Sequence, residues 1–199
     1  MCDAEKTRQI GRKFNACTYR LGSFRQYNTI LDTGICMKVL CITAHPNASG
    51  SFTNQLVDAF ISGIDSNAQV SSKNVFFDPF VEIKDQIEDA DHICLAFPLW
   101  WEMPPAKLVD FLQQTFVLGF AFNYEDGVRK LLIKKKVTCL ISMGQKKDYN
   151  VSNLQQAMEY CGLSAQFIVF QGVGPGLSTE MVDLYKDLAR RQGVSILKD

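Results

Sequence analysis

The chain has 199 residues, enough for one domain with a sizeable core, and 47% of them are apolar. Its 21 basic and 21 acidic side chains give a formal net charge of zero, which argues against a nucleic-acid-binding surface. No apolar run is long enough to span a bilayer, so stable membrane insertion is not expected.

Cysteine and histidine usage restricts the compartment and the chemistry. Seven cysteines are present and none forms a CxxC pair. An odd number, three of them inside predicted strands, fits buried thiols in a reducing cytoplasm better than a disulfide framework. The two histidines, His45 and His92, show no metal-ligand spacing. We therefore expect a cytoplasmic protein without a metal site.

Residues 1–36 differ from the rest of the chain. They carry six basic and three acidic side chains, a net charge of +3, and show no sustained periodicity. They lack the apolar core of a secretory signal. Their arginines leave a transit peptide open, although Asp3, Glu5 and Asp32 weaken that interpretation. The pattern predicts a poorly ordered extension, or an upstream start, before a folded domain at 37–199.

The first strand and helix of that domain predict an anion site between them. Lys38–Thr43 is an apolar, β-branched run typical of a buried strand, and Ser51 is a good N-cap for the amphipathic helix that follows. Free backbone N–H groups and the helix dipole favour phosphate at such a helix N-terminus. Additional side chains at this loop are His45, Ser49, Ser51 and Asn54. An ordinary βα turn is the alternative, and the absence of GxGxxG excludes the common dinucleotide fingerprint.

Strands and helices continue to alternate along the chain. Further strands are predicted at Gln69–Phe77, His92–Phe97, Lys135–Ser142 and Ala165–Gly172. A short helix or a turn is predicted at Phe80–Ala90. Helices are predicted from Pro104-Pro105 to Phe116, at Val151–Cys161 with Gly162 as its cap, and at Ser178–Gln192 with Gly193 after its end. Five such strands predict an α/β fold, a doubly wound, flavodoxin-like parallel sheet of order 2-1-3-4-5 with helices on both faces.

That strand order places ligands at the carboxyl ends of the strands, beside the first one. Three loops should therefore surround one crevice: 44–51, 98–103 and 142–149. Both tryptophans, Trp100 and Trp101, lie in the second loop, which suits a flat aromatic ligand or a partner surface, with core packing as the alternative. In the third loop, Gly144 would let backbone approach a ring and Tyr149 would offer a phenol.

A short segment after the third helix is crowded with aromatic side chains: Phe116, Phe120, Phe122 and Tyr124. So much apolar surface beside a pocket predicts a partner, and a satellite core under the 125–134 loop is the alternative.

Five motifs occur in a recognisable order and spacing: AHPNASGSFTN at 44–54, AD at 90–91, FPLWWEMPPAKL at 97–108, GFAFNY at 119–124 and SMG at 142–144 followed by Tyr149. With them the chain resembles the NAD(P)H:quinone oxidoreductase family, which includes modulator-of-drug-activity and potassium-efflux ancillary flavin reductases. The resemblance covers nearly all of 37–199 and does not extend to residues 1–36.

The resemblance implies a role for each motif. It implies that a flavin phosphate is held by His45, Asn47, Ser49, Ser51, Phe52 and Asn54. It implies that the flavin ring is lined by Pro98, Leu99, Trp100, Trp101, Ser142, Met143, Gly144 and Tyr149. Gly144 and Tyr149 would stabilise the charge that develops on reduction. Phe122 and Tyr124 would cross a homodimer interface and roof the partner's site.

The implied function is NAD(P)H-dependent hydride transfer to quinones or similar acceptors, in a ping-pong sequence through non-covalent FAD or FMN. No histidine follows Tyr149, so a proton relay would use Tyr149 with water, or Lys146 or Lys147. The segments 77–90 and 149–162 are short for this family, which makes FMN a rival to FAD. The alternatives are a regulatory or ancillary flavoprotein with weak turnover, and a degenerate member that has lost the flavin.

Overall fold

The computed structural model describes residues 36–47 and 49–196. The predicted extension, residues 1–36, lies outside the described residues except for Cys36. In chain order the elements are β1 Lys38–Thr43, α1 Phe52–Ser62, β2 Gln69–Asn74, α2 Phe80–Asp89, β3 His92–Leu99, α3 Ala106–Thr115, β4 Phe122–Tyr124, β5 Val128–Lys130, β6 Lys136–Met143, α4 Ser152–Cys161, β7 Ser164–Phe170 and α5 Thr179–Ser195.

Five of these strands form one parallel sheet in the order β2-β1-β3-β6-β7. Because β6 and β7 are the fourth and fifth predicted strands, the predicted flavodoxin-like order is confirmed. The first strand has the predicted bounds, and its own ends, Lys38 and Thr43, enclose the buried apolar residues Val39 to Ile42. Right-handed crossovers leave the carboxyl ends of β1, β3 and β6 together at one edge.

Each face of the sheet is covered by its own core. Alternate residues of β1 point to opposite faces, so Leu40 and Ile42 pack with α2, α3 and α4, whereas Val39 and Cys41 pack with α1 and α5. Helices on both faces explain why β3 and most of β6 are buried along their length.

The third strand is longer than predicted. Pro98 and Leu99, expected in a loop, are its last two residues. The amide of Ala44 donates to the carbonyl of Ala96, so the backbone of Ala96 and, two residues on, of Pro98 faces β1. The pairing of β1 with β3 ends at Ala96. The nitrogen of Pro98 therefore faces the β1 side of β3, beyond the last paired residue, so no hydrogen bond is lost because proline has no N–H.

The second strand is shorter than predicted and ends at Asn74 rather than Phe77. Asn74 begins a tight turn. Its side-chain oxygen accepts from the backbone N–H of Phe76 at 3.0 Å, and its backbone N–H donates to the carboxylate of Asp78 at 2.6 Å. Local side-chain bonds of this kind compete with the ladder and stop the strand.

A two-stranded antiparallel hairpin, β4 and β5, was not predicted from the sequence. Its strands have three residues each, too short for a hydrophobic period to register. The signal that could have revealed it is Asp126-Gly127, both left-handed at φ 52° and 126°, between the two strands.

Three predicted helix boundaries are confirmed. The hydroxyls of Ser51 and Ser178 accept from the amides of Asn54 and Met181, at 3.1 and 3.4 Å, as N-caps do. Gly162 follows α4 in the left-handed conformation at φ 92°.

The predicted end of α5 was wrong, because the helix continues through Gly193 to Ser195. Gly193 instead forms a close crossing with α1. A methyl group at Gly193 would lie 2.0 Å from the carbonyl oxygen of Phe60, and one at Gly63 would lie 2.0 Å from that of Arg190. Glycine at both positions therefore lets the two backbones touch.

The cysteines described by the structure are free thiols, and all of them except Cys36 are buried. Burial raises the pKa of Cys139 to about 12 and that of Cys94 well above the ordinary value, so both thiols stay protonated. Within 36–47 and 49–196, no three metal-binding side chains converge and no helix is long and apolar enough to cross a membrane.

Candidate functional site

A crevice of about 540 Å³ opens at the carboxyl edge of the sheet, a size typical of small-molecule sites. The ends of β1, β3 and β6 form its floor, as the topology requires. Its lining residues are His45, Phe52, Thr53, Pro98, Leu99, Trp100, Trp101, Glu102, Ser142, Met143, Gly144, Gln145 and Val173. Nine of the residues implied by the resemblance are among them.

The loop after β1 is ordered by hydrogen bonds within itself. Nδ1 of His45 accepts from the amide of Asn47 at 3.0 Å, and the side chain of Asn47 accepts from the amide of Ser49 at 3.2 Å. Burial lowers the pKa of His45, which keeps the imidazole neutral at pH 7. The imidazole meets the indole of Trp100 edge-on at 5.6 Å, so this loop supports one wall of the crevice.

Ser51, Asn47, Ser49 and Asn54 do not line the crevice itself. Ser51 is buried as the cap of α1, immediately before Phe52 and Thr53, which do line it. The first amides of a helix have no partner within the helix, so α1 presents donors at this end. Ser49 and Asn54 border a second cleft of about 540 Å³ together with the end of β2.

The two tryptophans lie on a tight turn at the crevice rim. The amides of Trp100 and Met103 each donate to the other's carbonyl, at 3.0 and 3.1 Å. Trp101 and Glu102, between them, have left-handed backbones at φ 56° and 64°, which costs energy in residues that carry a side chain. Trp100 is 42% exposed and Trp101 is 93% exposed. The strained turn therefore holds both indoles out of the core.

Another part of the lining brings together two hydroxyls and a glycine. The hydroxyls of Thr53 and Ser142 lie 3.2 Å apart and are buried. A methyl group at Gly144 would contact only the carbonyl oxygen of Val173, at 3.7 Å. Packing within the protein does not demand glycine at 144, which fits a position kept small by a bound ring.

An ion pair joins the two loops across the crevice rim. The ammonium of Lys147 donates to the carboxylate of Glu102, and both side chains are about half exposed. Tyr149 does not line the crevice; it packs beside the core. Burial, and then the charge of Glu102, raise the pKa of Tyr149, so its phenol stays protonated at neutral pH.

Phe122 and Tyr124 lie on the hairpin, away from this crevice. The ring of Phe122 packs edge-on against Tyr160 of α4 at 5.1 Å, and the hydroxyls of Tyr124 and Tyr160 are 3.1 Å apart. Tyr124 is nevertheless 62% exposed. Phe116, Phe120 and Phe122 pack against the main core, as the core interpretation of this segment requires, whereas the exposed ring of Tyr124 is what the partner interpretation requires.

Four lining residues were not named as site residues from the sequence, although Glu102 and Gln145 lie in two of the predicted loops: Thr53, Glu102, Gln145 and Val173. Three of them are adjacent in the chain to predicted site residues. Val173 belongs to the loop after β7. That loop also follows the carboxyl end of a parallel strand, which is where ligands bind in this type of sheet. The glycines around Val173 were the available signal.

The sheet order and the crevice beside β1 define the class of protein, an α/β domain with a ligand-sized crevice at the switch point of its sheet. The chain belongs to the flavodoxin-like fold family, whose pattern matches residues 37–191.

Several known proteins are similar to this chain. An uncharacterized NAD(P)H oxidoreductase of Haemophilus influenzae is 28% identical over 159 residues, covering 66% of this chain and 77% of that protein. The NAD(P)H:quinone oxidoreductase from Methanothermobacter marburgensis has a TM-score of 0.67 at 22% identity, covering 81% and 99% of the two chains. An FMN-dependent NADH-azoreductase from Bacillus anthracis, solved with FMN, has a TM-score of 0.69 at 18% identity, covering 82% and 100%. These relatives confirm the resemblance drawn from the motifs.

Proposed function

We propose that the protein is an NAD(P)H-dependent flavoprotein oxidoreductase that transfers a hydride to quinones or azo compounds. The observation that carries this proposal is the crevice, whose lining includes exposed indoles, two hydroxyls and Gly144, with a helix N-terminus at its end. The names of the similar proteins, an NAD(P)H:quinone oxidoreductase and an azoreductase, support the same reaction class.

The residues of the crevice fit a flavin. Aromatic faces suit a flat ring, and the first amides of α1 with Thr53 suit a phosphate. FMN is favoured over FAD for two reasons. The similar azoreductase was solved with FMN, and the connection from β2 to α2 has only residues 75–79, which leaves little chain to hold the adenine of FAD. Bound flavin supplies the two-electron chemistry, accepting a hydride and passing it on.

The side chains of this protein would bind and orient the flavin ring and supply a proton. Trp100, held by neutral His45, would fix the ring plane, and Ser142 and the backbone at Gly144 would face its polar edge. Tyr149 is kept protonated but does not line the crevice, so it would pass a proton through water and not directly to the ring. If one crevice serves both donor and acceptor, they would bind there in turn, which predicts a ping-pong sequence.

Heating the purified protein should release a flavin that chromatography identifies as FMN. The same protein should oxidise NADH or NADPH in the presence of menadione, a simple quinone. Bound flavin without NAD(P)H oxidation would favour an ancillary flavoprotein over an enzyme. Colourless protein that does not take up added FMN would mean that the flavin site has been lost, and release of FAD would contradict the choice of FMN.

We also propose that the protein is a homodimer in which Phe122 and Tyr124 roof the partner's crevice. The support is that these residues lie outside their own crevice, that Tyr124 is largely exposed, and that Leu118 and Val128 add further exposed apolar surface nearby. A closed twofold interface would bury this surface.

Light scattering should therefore give about twice the chain mass of 22.4 kDa. Tyr124→Asp should shift the protein to a monomer that stays folded and turns over poorly, because a charge would be buried at the interface. Val81→Asp is the matched control, since Val81 is 64% exposed on α2. A wild-type monomer with full specific activity would contradict the dimer.

A further inference from the structure

The proposed chemistry assigns no role to the ion pair of Glu102 with Lys147 at the rim of the crevice. Among the lining residues within 36–47 and 49–196, Glu102 is the one that is charged at neutral pH, because His45 is held neutral. The charge of Glu102 is compensated by Lys147, from the facing loop. The charge among the lining residues is therefore compensated only while this pair is intact.

The backbone around the pair is built to hold it in place. Glu102 occupies a left-handed position at the tip of the Trp100–Met103 turn, so its side chain starts from a fixed point on the rim. On the other loop, the alkyl chain of Lys146 lies against Gly172, with its carbons 2.8–3.5 Å from where a Cβ of Gly172 would be. Of these two neighbouring lysines, the one that reaches the crevice rim is Lys147.

We propose that the Glu102–Lys147 pair determines the charge of the acceptor, so that the intact pair selects uncharged aromatic acceptors over anionic ones. The inference rests on the proposed function, because it concerns the acceptor of that same site. Burying an aromatic acceptor beside a compensated pair involves no net charge, whereas an anion would meet Glu102 while Lys147 is already occupied.

Breaking the pair from either side should change the selectivity in opposite directions. Glu102→Gln keeps the shape of the side chain and leaves the cation of Lys147 unpaired, which should favour an anionic ligand. Lys147→Gln leaves the carboxylate of Glu102 unpaired, which should weaken the binding of an anionic ligand. The double variant restores a neutral rim and should return to the wild-type preference. Both side chains are about half exposed, so neither change threatens folding.

The test compares two probes that differ in one charge, anthraquinone-2-carboxylate and anthraquinone-2-carboxamide. Equilibrium dialysis of the flavin-loaded protein, without NAD(P)H, gives the ratio of their dissociation constants. The ratio should move about fivefold towards the carboxylate in Glu102→Gln and about fivefold away from it in Lys147→Gln at low ionic strength, and both shifts should shrink in high salt. The chain's two tryptophans both line this crevice, so quenching of their fluorescence shows that the probes bind there.

Equal ratios in all four proteins, in a protein that carries flavin and oxidises NAD(P)H with menadione, would overturn this inference and leave the proposed function intact. Shifts of the same sign in both single variants would also overturn it, because they would reflect loop disruption rather than charge. A protein without flavin or NAD(P)H oxidation would contradict the proposed function instead.

Discussion

Ser51→Asp should lower the affinity for flavin about 100-fold or more, because it places a carboxylate beside the phosphate proposed at the N-terminus of α1. Aspartate is as good an N-cap as serine, so the amide of Asn54 keeps its acceptor and the free energy of unfolding should not fall. The expected result is therefore a folded protein that has lost its flavin.

Ser51→Ala is the matched variant, and it separates capping from charge. Removing the hydroxyl should lower the free energy of unfolding by about 1 kcal/mol while flavin affinity falls much less than in Ser51→Asp. Flavin titration and urea unfolding of the three proteins should thus rank them in different orders. If Ser51→Asp binds flavin as tightly as the wild type, the phosphate is not at this helix end.

Gly193→Ala should lower the free energy of unfolding by roughly 3 kcal/mol, at the upper end for an overpacked site. The added methyl group would meet a backbone carbonyl, that of Phe60, which cannot turn aside as a side chain can. Helices α1 and α5 must separate to admit it, and the core beneath them loses contacts.

The measurement for Gly193→Ala is the urea midpoint with an unchanged m-value. Gly176→Ala is the control, because a methyl group at Gly176 has nothing within 4 Å, and it should stay within about 0.5 kcal/mol of the wild type. Equal midpoints for the two variants would show that α1 and α5 can part at no cost. Gly63→Ala lies at the same crossing and should behave like Gly193→Ala.

The sheet was predictable because its signals are local in the sequence. The run Lys38–Thr43 is largely apolar and rich in β-branched residues, and the alternation of such runs with amphipathic helices left few strand orders. Pro98 was assigned to a loop and Gly193 to a helix end because proline and glycine usually interrupt regular structure. Here tertiary contacts decide instead. The pairing of β1 ends before Pro98, and α1 crosses α5 at Gly193.

The site was predictable where one rule sufficed, namely that ligands lie at the carboxyl ends of parallel strands. Trp100, Trp101 and Gly144 follow from that rule. The position of Tyr149 beside the core and the ion pair of Glu102 with Lys147 did not, because they depend on how two loops close towards each other. No period or spacing in the sequence encodes that distance.

The left-handed turn at Trp101 and Glu102 has a consequence for any attempt to engineer this protein. Glycine would adopt the same backbone without strain, so substitutions there should raise thermal stability while removing the indole and the carboxylate. A directed-evolution screen that rewards expression or heat resistance alone would therefore drift towards proteins that lack this indole and this carboxylate. Thermostabilisation should instead target surfaces remote from the turn, where stability and activity do not compete.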